Sequence, residues 1–221
     1  MKKLILGIVS ALSLMTLSVF AAENLPATLM TERGKLIFTD DLGKLVPGVW
    51  NSAKGKWEAA NGGIKGSELK ADKHGAVTRH KQVYKDAVIQ VDVQINGCRM
   101  ASLSINDAKG HVARALINKD GFSAQKDAHD KDGVDKVAVF GKVPLPMPPG
   151  EWKTLVIELK GEEMVATMDG KSIAGSAPLI AKDKADVGLT VGGESACFRN
   201  LRIWEAQPNP KWPENKKRIK P

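Results

Sequence analysis

The sequence has few of the residues that mark specialised protein classes. Of its 221 residues only two, Cys98 and Cys197, are cysteines, and only 5% are aromatic. Two cysteines are too few for a disulfide framework or a four-cysteine zinc site. The glycines and prolines have no collagen-like period. With 43% hydrophobic and 26% charged residues, the composition is that of a folded protein with a sizeable core.

Long apolar runs are confined to the first 22 residues. The chain begins with Lys2 and Lys3, continues with an apolar stretch over residues 4–17, and has a signal-peptidase pattern ending at Ala21. This order predicts a signal peptide over residues 1–21, export to the periplasm or the cell exterior, and no membrane span after cleavage. An uncleaved anchor is the alternative, although the run is short for a span.

Export changes the interpretation of the two cysteines. In an oxidising compartment a bridge between Cys98 and Cys197 can persist, and closing a loop of about 100 residues would contribute roughly 3–5 kcal/mol. Two buried free thiols are the alternative.

The body of the chain alternates between apolar and polar residues. In the segment 88–95 one face has Val91, Val93 and Ile95, and the other has Gln90, Asp92 and Gln94. Residues 101–105 repeat the alternation, and Asn96-Gly97 between the two segments predicts a hairpin turn.

Similar short runs, separated by turn residues, continue from Leu36 to Trp204. About ten to twelve strands without a helical period predict an all-β, two-sheet antiparallel sandwich. We therefore expect an N-terminal segment over residues 22–35, one domain over residues 36–204, and a basic, proline-rich tail over residues 205–221. The tail is expected to be extended and at most loosely docked by Trp212.

Five motifs in this order resemble the concanavalin A-like jelly-roll domain of the 3-keto-disaccharide hydrolase domain family. They are LIFTDD at 36–41, GKWEAANGGIKG at 55–66, YKDAVIQVDV at 84–93, GEWKTLVIELKG at 150–161 and CFRNLRIW at 197–204. The resemblance implies two packed antiparallel sheets and a face suited to sugars. If the closing strand 198–204 lies beside strand 88–95, Cys197 approaches Cys98, and the inward Phe198 and Leu201 require a bulge.

Three functions follow from these observations. The first is an exported jelly-roll domain that binds or handles a carbohydrate. The second, implied by the resemblance, is a hydrolase or lyase that acts on 3-keto-glycosides. The third is a structural or adhesion module of the cell envelope. The net charge of +8 is dispersed outside the tail, and export argues against a nucleic-acid partner.

Candidate catalytic residues are few. The Glu-x-Asp-x-Glu strand of jelly-roll glucanases is absent, and Glu158 and Glu162, the nearest imitation, are interpreted as surface charges. Elimination from a ketosugar needs a base near an activated C–H bond. His111 or the acids of residues 127–135 could supply it. His111 and Arg114 are the candidate catalytic residues, but on a regular strand they point to opposite faces unless a bulge intervenes.

Two further sites are suggested by composition. The acidic segment 126–136 contains Asp127, Asp130 and Asp132, whose oxygens suit a divalent metal such as calcium, with a solvated turn as the alternative. Trp50 and Trp212 are candidate platforms for a sugar ring, because the other tryptophans occupy positions expected to be in the core.

Overall fold

The computed structural model describes residues 25–129 and 135–219. The predicted signal peptide therefore lies outside the described residues, as do Asp130 and Asp132. Within the described ranges the chain forms thirteen β-strands, all paired antiparallel, one short α-helix and two single turns of 3-10 helix. Their bounds are β1 Thr31–Asp40, β2 Trp50–Lys54, β3 Lys56–Ala60, β4 Gly63–Ser67, β5 Ala76–Tyr84, β6 Ala87–Asn106, β7 His111–Asn118, β8 Gly121–Lys126, β9 Ala138–Pro144, β10 Trp152–Lys160, β11 Glu163–Met168, β12 Lys171–Ser176, β13 Lys184–Pro208 and α1 Trp212–Lys216.

Two long strands form the centre of the molecule. β6 and β13 pair along nearly their whole length, from Asp186 opposite Asn106 to Glu205 opposite Ala87. Both bend near the middle, where Gly97 and Gly193 have positive φ angles of 79° and 98° and the register shifts. The first half of β6 then pairs with β10 and the second half with β7. One continuous sheet is thereby folded into two layers.

Each layer contains one half of each long strand. The back sheet runs β12–β11–β10–β6–β13 and continues to β1 and to the β3–β4 pair. The front sheet runs β9–β8–β7–β6–β13–β5–β2. A single apolar cluster lies between them and includes Val91 and Leu155 from the back sheet and Leu103 and Ala115 from the front sheet. The predicted two-sheet antiparallel jelly roll is confirmed.

The alternation of the sequence correctly identifies the inward face of both halves of β6. Val91, Val93 and Ile95 are buried in the apolar cluster, as are Ala101, Leu103 and Ile105. The hairpin predicted at Asn96-Gly97 is wrong, because β6 continues through both residues. A glycine with positive φ serves a tight turn, but here it lets one strand bend from the back sheet into the front sheet.

The closing strand lies beside strand 88–95, as expected, and a register shift between Arg199 and Arg202 supplies the required bulge. The predicted Cys98–Cys197 disulfide is not formed, and both cysteines are buried free thiols. Cys98 pairs with Gly193, whereas Cys197 pairs with Gln94, four residues away along β6. That offset is about 13 Å at roughly 3.3 Å per residue, which is too far for a bridge.

The two thiols also face different sides of the sheet. Cys98 belongs to the apolar cluster, while the Cys197 Sγ lies 3.8 Å from Asn61 Nδ2 and 3.7 Å from Asn96 Nδ2 on the outer side. A bridge would therefore need both a slip of the strands and a change of face.

The folded region extends beyond residues 36–204 at both ends. β1 begins at Thr31 and pairs with β13 as far as Pro208. The tail then forms α1, where Trp212 Nε1 donates to Glu163 Oε2 at 2.9 Å and Asn215 Nδ2 donates to the carbonyl of Leu29 at 2.9 Å. The described part of the tail is therefore docked on the sandwich. No helix within the described ranges is long and apolar enough to cross a membrane.

Candidate functional site

The outward side of the front sheet, called here the front face, is polar. β6 contributes Ser102, Ser104 and Asn106, and β13 contributes Gly188 and Thr190, because their neighbours along each strand point into the core. The flanking strands contribute longer side chains, namely Arg79 from β5 and Arg114 from β7. The middle of the face therefore has small side chains between longer ones, and Ser102, Ser104 and Asn106 are buried beneath these longer neighbours.

A bulge at the start of β7 brings the two candidate catalytic residues to this face. His111 pairs with Asn106 and Ala113 pairs with Ile105, so the register shifts by one residue. Val112 and Ala113 both enter the apolar cluster as a result. His111 and Arg114 then point outward together, which a regular strand would not allow.

His111 is held by a chain of hydrogen bonds. Asn106 Nδ2 donates to Asp186 Oδ1 at 2.5 Å, and Asn106 Oδ1 lies 2.5 Å from His111 Nδ1. Because the amide nitrogen faces a carboxylate, the amide oxygen must be the acceptor for the imidazole. His111 therefore has its proton on Nδ1, and no described residue bonds to Nε2.

The imidazole is also kept neutral. Burial lowers the pKa of His111, and the nearby charge of Arg114 lowers it further, while Asp127 acts in the opposite direction. At neutral pH the ring therefore presents an unprotonated Nε2, which is the form that accepts a proton from a ligand.

Arg114 is fixed beside His111 by a two-bond ion pair. Its Nε donates to Asp127 Oδ2 at 2.9 Å and its Nη2 donates to Asp127 Oδ1 at 2.5 Å. Gln125 Nε2 adds a bond of 2.9 Å to Oδ1, and the Asp127 side chain is only 5% exposed. A carboxylate held in this way orients the guanidinium and leaves Arg114 Nη1 outside the pair.

The ion pair between Arg114 and Asp127 also involves a residue of the predicted metal site. Both Asp127 oxygens accept hydrogen bonds from Arg114. Asp130 and Asp132 lie outside the described residues. Among the residues that the structure describes, no group of three or more His, Cys, Asp or Glu side chains is arranged to hold a metal ion. Asp127 therefore positions Arg114 in this structure.

Neither candidate tryptophan lies on the front face. Trp50 is only 5% exposed, packs at a tilt on His80 with ring centroids 5.5 Å apart, and donates from Nε1 to Asp40 Oδ2 at 2.9 Å. It is a core residue, so its ring does not offer the exposed platform that we predicted. Trp212 lies on the tail and bonds to Glu163 at the start of β11, in the back sheet.

The front face opens into two cavities. One, of about 600 Å³, is lined by Arg79, Asp107 and Asp186 near the turn that precedes β7. The other, of about 420 Å³, is lined by Leu116 and Ser123 on the opposite side of Arg114. Both volumes are in the range of small-molecule sites.

Sequence reasoning named His111 and Arg114 as candidates but did not name Asn106 and Asp186, the other members of the hydrogen-bonded chain. The alternation over residues 101–105 places Asn106 on the polar side, so its face could be predicted. Its contact with Asp186 could not, because 80 residues separate them and only the pairing of β6 with β13 joins them.

The fold and this face define the class of the protein as an antiparallel jelly-roll sandwich with a polar, histidine-containing front face. A family profile described as "3-keto-alpha-glucoside-1,2-lyase-like domain" matches residues 38–204, well over half of the chain. The chain belongs to this family, and so to a group of carbohydrate-handling domains. A search of curated protein sequences gives no match.

Solved structures show the same fold at low sequence identity. The carbohydrate binding module CBM66 from Bacillus subtilis has a TM-score of 0.57 and 16% identity, covering 71% of this chain and 96% of its own. A Bacillus subtilis protein of unknown function with a galectin-like fold has a TM-score of 0.62 and 10% identity, covering 81% and 100%. The Bacillus licheniformis β-glucanase has a TM-score of 0.56 and 9% identity, covering 79% and 99%.

Proposed function

We propose that this chain binds 3-keto-glycosides on its front face and cleaves them by elimination, with His111 as the general base. The observation that supports the proposal most directly is the Asp186–Asn106–His111 chain, which leaves a neutral imidazole with its Nε2 lone pair free. Family membership supplies the substrate class.

The chemistry needs a base and a cation. A ketone at C3 acidifies the hydrogen on C2, and His111 Nε2 would accept that proton. Arg114, fixed by Asp127, would stabilise the negative charge that develops on the ketone oxygen. The bond from C1 to the glycosidic oxygen then breaks, and the imidazolium returns its proton to the departing oxygen. The products are an unsaturated 3-keto-sugar and a free alcohol.

Export remains part of the proposal. The pattern over residues 1–21 predicts that the mature protein meets its carbohydrate in the periplasm or outside the cell. Determining the N-terminus of the protein recovered from the native compartment tests this prediction, since cleavage after Ala21 supports export and an intact leader contradicts it.

The catalytic proposal is tested by turnover. The mature protein is incubated with 3-keto-α- and 3-keto-β-glucosides, with and without divalent metal, and the products are followed by chromatography. We expect turnover by the wild type and a loss of about 100-fold or more in His111→Gln. His74→Gln is the matched control, because His74 is exposed and bonds only to the neighbouring Gly75 carbonyl. Equal turnover by His111→Gln and the wild type would contradict the assignment.

The same samples distinguish the alternatives. Retention on a glycan array without turnover supports a binding module, and neither retention nor turnover supports a structural or adhesion role. The calcium site over Asp127, Asp130 and Asp132 also stays a prediction. It fails if calcium leaves the melting temperature unchanged and the Asp130→Ala, Asp132→Ala variant behaves like the wild type.

A further inference from the structure

A cationic cavity lies where the tail meets the edge of the front sheet. Its volume is about 490 Å³, and its walls come from β9, the β11–β12 turn and the segment after α1. Lys142, Lys171 and Arg218 line it, and no acidic residue is among the described residues of its lining. Such a cavity favours a ligand with negative charge.

These cations are not neutralised by the described protein. Lys171 Nζ donates to the carbonyl of Pro144 at 2.7 Å, which leaves its charge unpaired. Neither Lys142 nor Arg218 forms a side-chain hydrogen bond or ion pair with a described residue. Glu163, the acid to which the tail docks, already accepts bonds from Lys216 and Trp212. The positive charge of the cavity is therefore available to a ligand.

The cavity adjoins one of the two front-face cavities along β9. It shares Lys142, Val143 and Pro144 with the cavity of about 420 Å³ lined by Leu116 and Ser123. Leu116 follows Arg114 by two residues on β7 and points to the same side. The two cavities therefore flank the same stretch of β9, and the one lined by Leu116 lies on the Arg114 side of β7. A chain-like ligand that extends from the front face across β9 would place its far end among the three cations.

We propose that the cavity formed by Lys142, Lys171 and Arg218 binds an anionic group, a carboxylate or a sulfate, on a saccharide that lies along the front face. Its position beside a front-face cavity favours a chain of sugar units over a flat anionic surface. The saccharide identity rests on the proposed function, whereas the preference for an anion rests on the cavity alone.

The test compares charged and neutral saccharides of the same length. Trigalacturonate, its neutral methyl ester and a sulfated oligosaccharide are titrated by calorimetry at low salt into the wild type and a Lys142→Gln, Arg218→Gln variant. We expect the wild type to bind at least one anionic saccharide more tightly than the neutral ester. The double variant should bind the anionic saccharide about tenfold more weakly than the wild type does, and it should bind the ester with unchanged affinity. Lys217→Gln, an exposed change in the same tail segment, should have no effect.

Each outcome has a definite meaning. Equal binding of anionic saccharides by the wild type and the double variant overturns the inference, as does binding of anionic lipid vesicles but not of saccharides. We expect the double variant to turn over a neutral 3-keto-glucoside as fast as the wild type, because the anion site is separate from the catalytic site. If His111→Gln retains full turnover while the cavity variant loses its anion preference, the catalytic proposal fails and the anion site stands.

Discussion

The outer sides of the two sheets are built from the same two strands but differ in how they are covered. The outward β6 residues of both sheets are little exposed, Gln90, Asp92 and Gln94 of the back sheet at no more than 9% and Ser102, Ser104 and Asn106 of the front sheet at no more than 1%, so the two sides differ in what covers and bonds to these residues. Asp92 accepts bonds from Thr154 Oγ1 at 2.7 Å and Asn200 Nδ2 at 2.8 Å, and Gln94 Nε2 donates to the Gly150 carbonyl at 2.7 Å. This face is closed by hydrogen bonds within the protein.

The N-terminal segment closes the same side further along. Glu158 of β10 is completely buried, and its carboxylate accepts bonds from the backbone of Leu29, Met30 and Thr31 at 2.7 to 2.9 Å. On the front face, by contrast, the polar chain ends at a free His111 Nε2. Alternation predicts which residues leave the core, but only the covering segments decide which face can meet a ligand.

The largest effect is expected on the closed face. Glu158→Ala removes the carboxylate that holds three successive backbone N–H groups of the N-terminal segment. We expect the free energy of unfolding to fall by about 3–5 kcal/mol, measured by urea denaturation. Glu162→Ala, an exposed neighbour across the β10–β11 turn, should change it by less than about 0.5 kcal/mol. Similar losses in both variants would refute the closed-face description.

The next effect concerns the open face. Asn106→Asp places a carboxylate against the His111 imidazole, which favours the imidazolium and should raise the pKa of His111 by about one unit or more. An NMR titration of the imidazole measures the shift. Asn61→Asp on the back face is the control and should leave His111 unchanged. An unaltered midpoint in Asn106→Asp would show that Asn106 does not hold the ring in solution.

The pH dependence of stability should follow from the same histidine. The folded-state pKa of His111 lies below its ordinary value of 6.5. As the pH falls below 6.5, the unfolded chain therefore binds more protons than the folded chain does. Stability is therefore lost as the pH falls from 6.5 through the folded-state pKa. In His111→Gln this part of the loss should disappear from urea denaturation curves collected across that window. An identical pH dependence in both proteins would contradict the burial of the ring.

A smaller effect is expected at the bend between the two faces. Gly97 has φ of 79°, and a Cβ there would collide with the Glu194 carboxylate. Gly97→Ala should cost about 1–2 kcal/mol of unfolding free energy. Gly62→Ala has nearly the same φ, 72°, but nothing within 4 Å of its Cβ, so it isolates the backbone cost. No loss in either variant would mean that the bend tolerates an L-residue.

The smallest effect is expected from reduction. Because both cysteines are free, dithiothreitol should leave the melting temperature unchanged. Burial raises the pKa of Cys98 to about 11, so a thiol reagent should modify it slowly in the folded protein and quickly after unfolding. A melting temperature that falls on reduction would show that the protein forms a bridge after rearrangement.

Particular residues show how far the sequence predicts this structure. The inward face of β6 follows from Val91, Val93 and Ile95, because a half-buried strand imposes a period of two. The interpretation of Glu158 as a surface charge is wrong, since the residues that cover it are 127 to 129 positions away. The shared face of His111 and Arg114 depends on a one-residue bulge at Val112 that leaves no local signature. The bend at Gly97 could not be distinguished from a hairpin, because a glycine with positive φ occurs in both.

The proposed function requires His111 to present an unprotonated Nε2 on the front face. Nitrogen-15 NMR of the imidazole, recorded at pH 7 with and without a 3-keto-glucoside, tests it directly. We expect the Nδ1–H tautomer, a midpoint below 6.5, and an Nε2 resonance that moves when the sugar is added. The Nε2–H tautomer, or an Nε2 resonance that does not move at saturating sugar, would contradict the proposed role of His111.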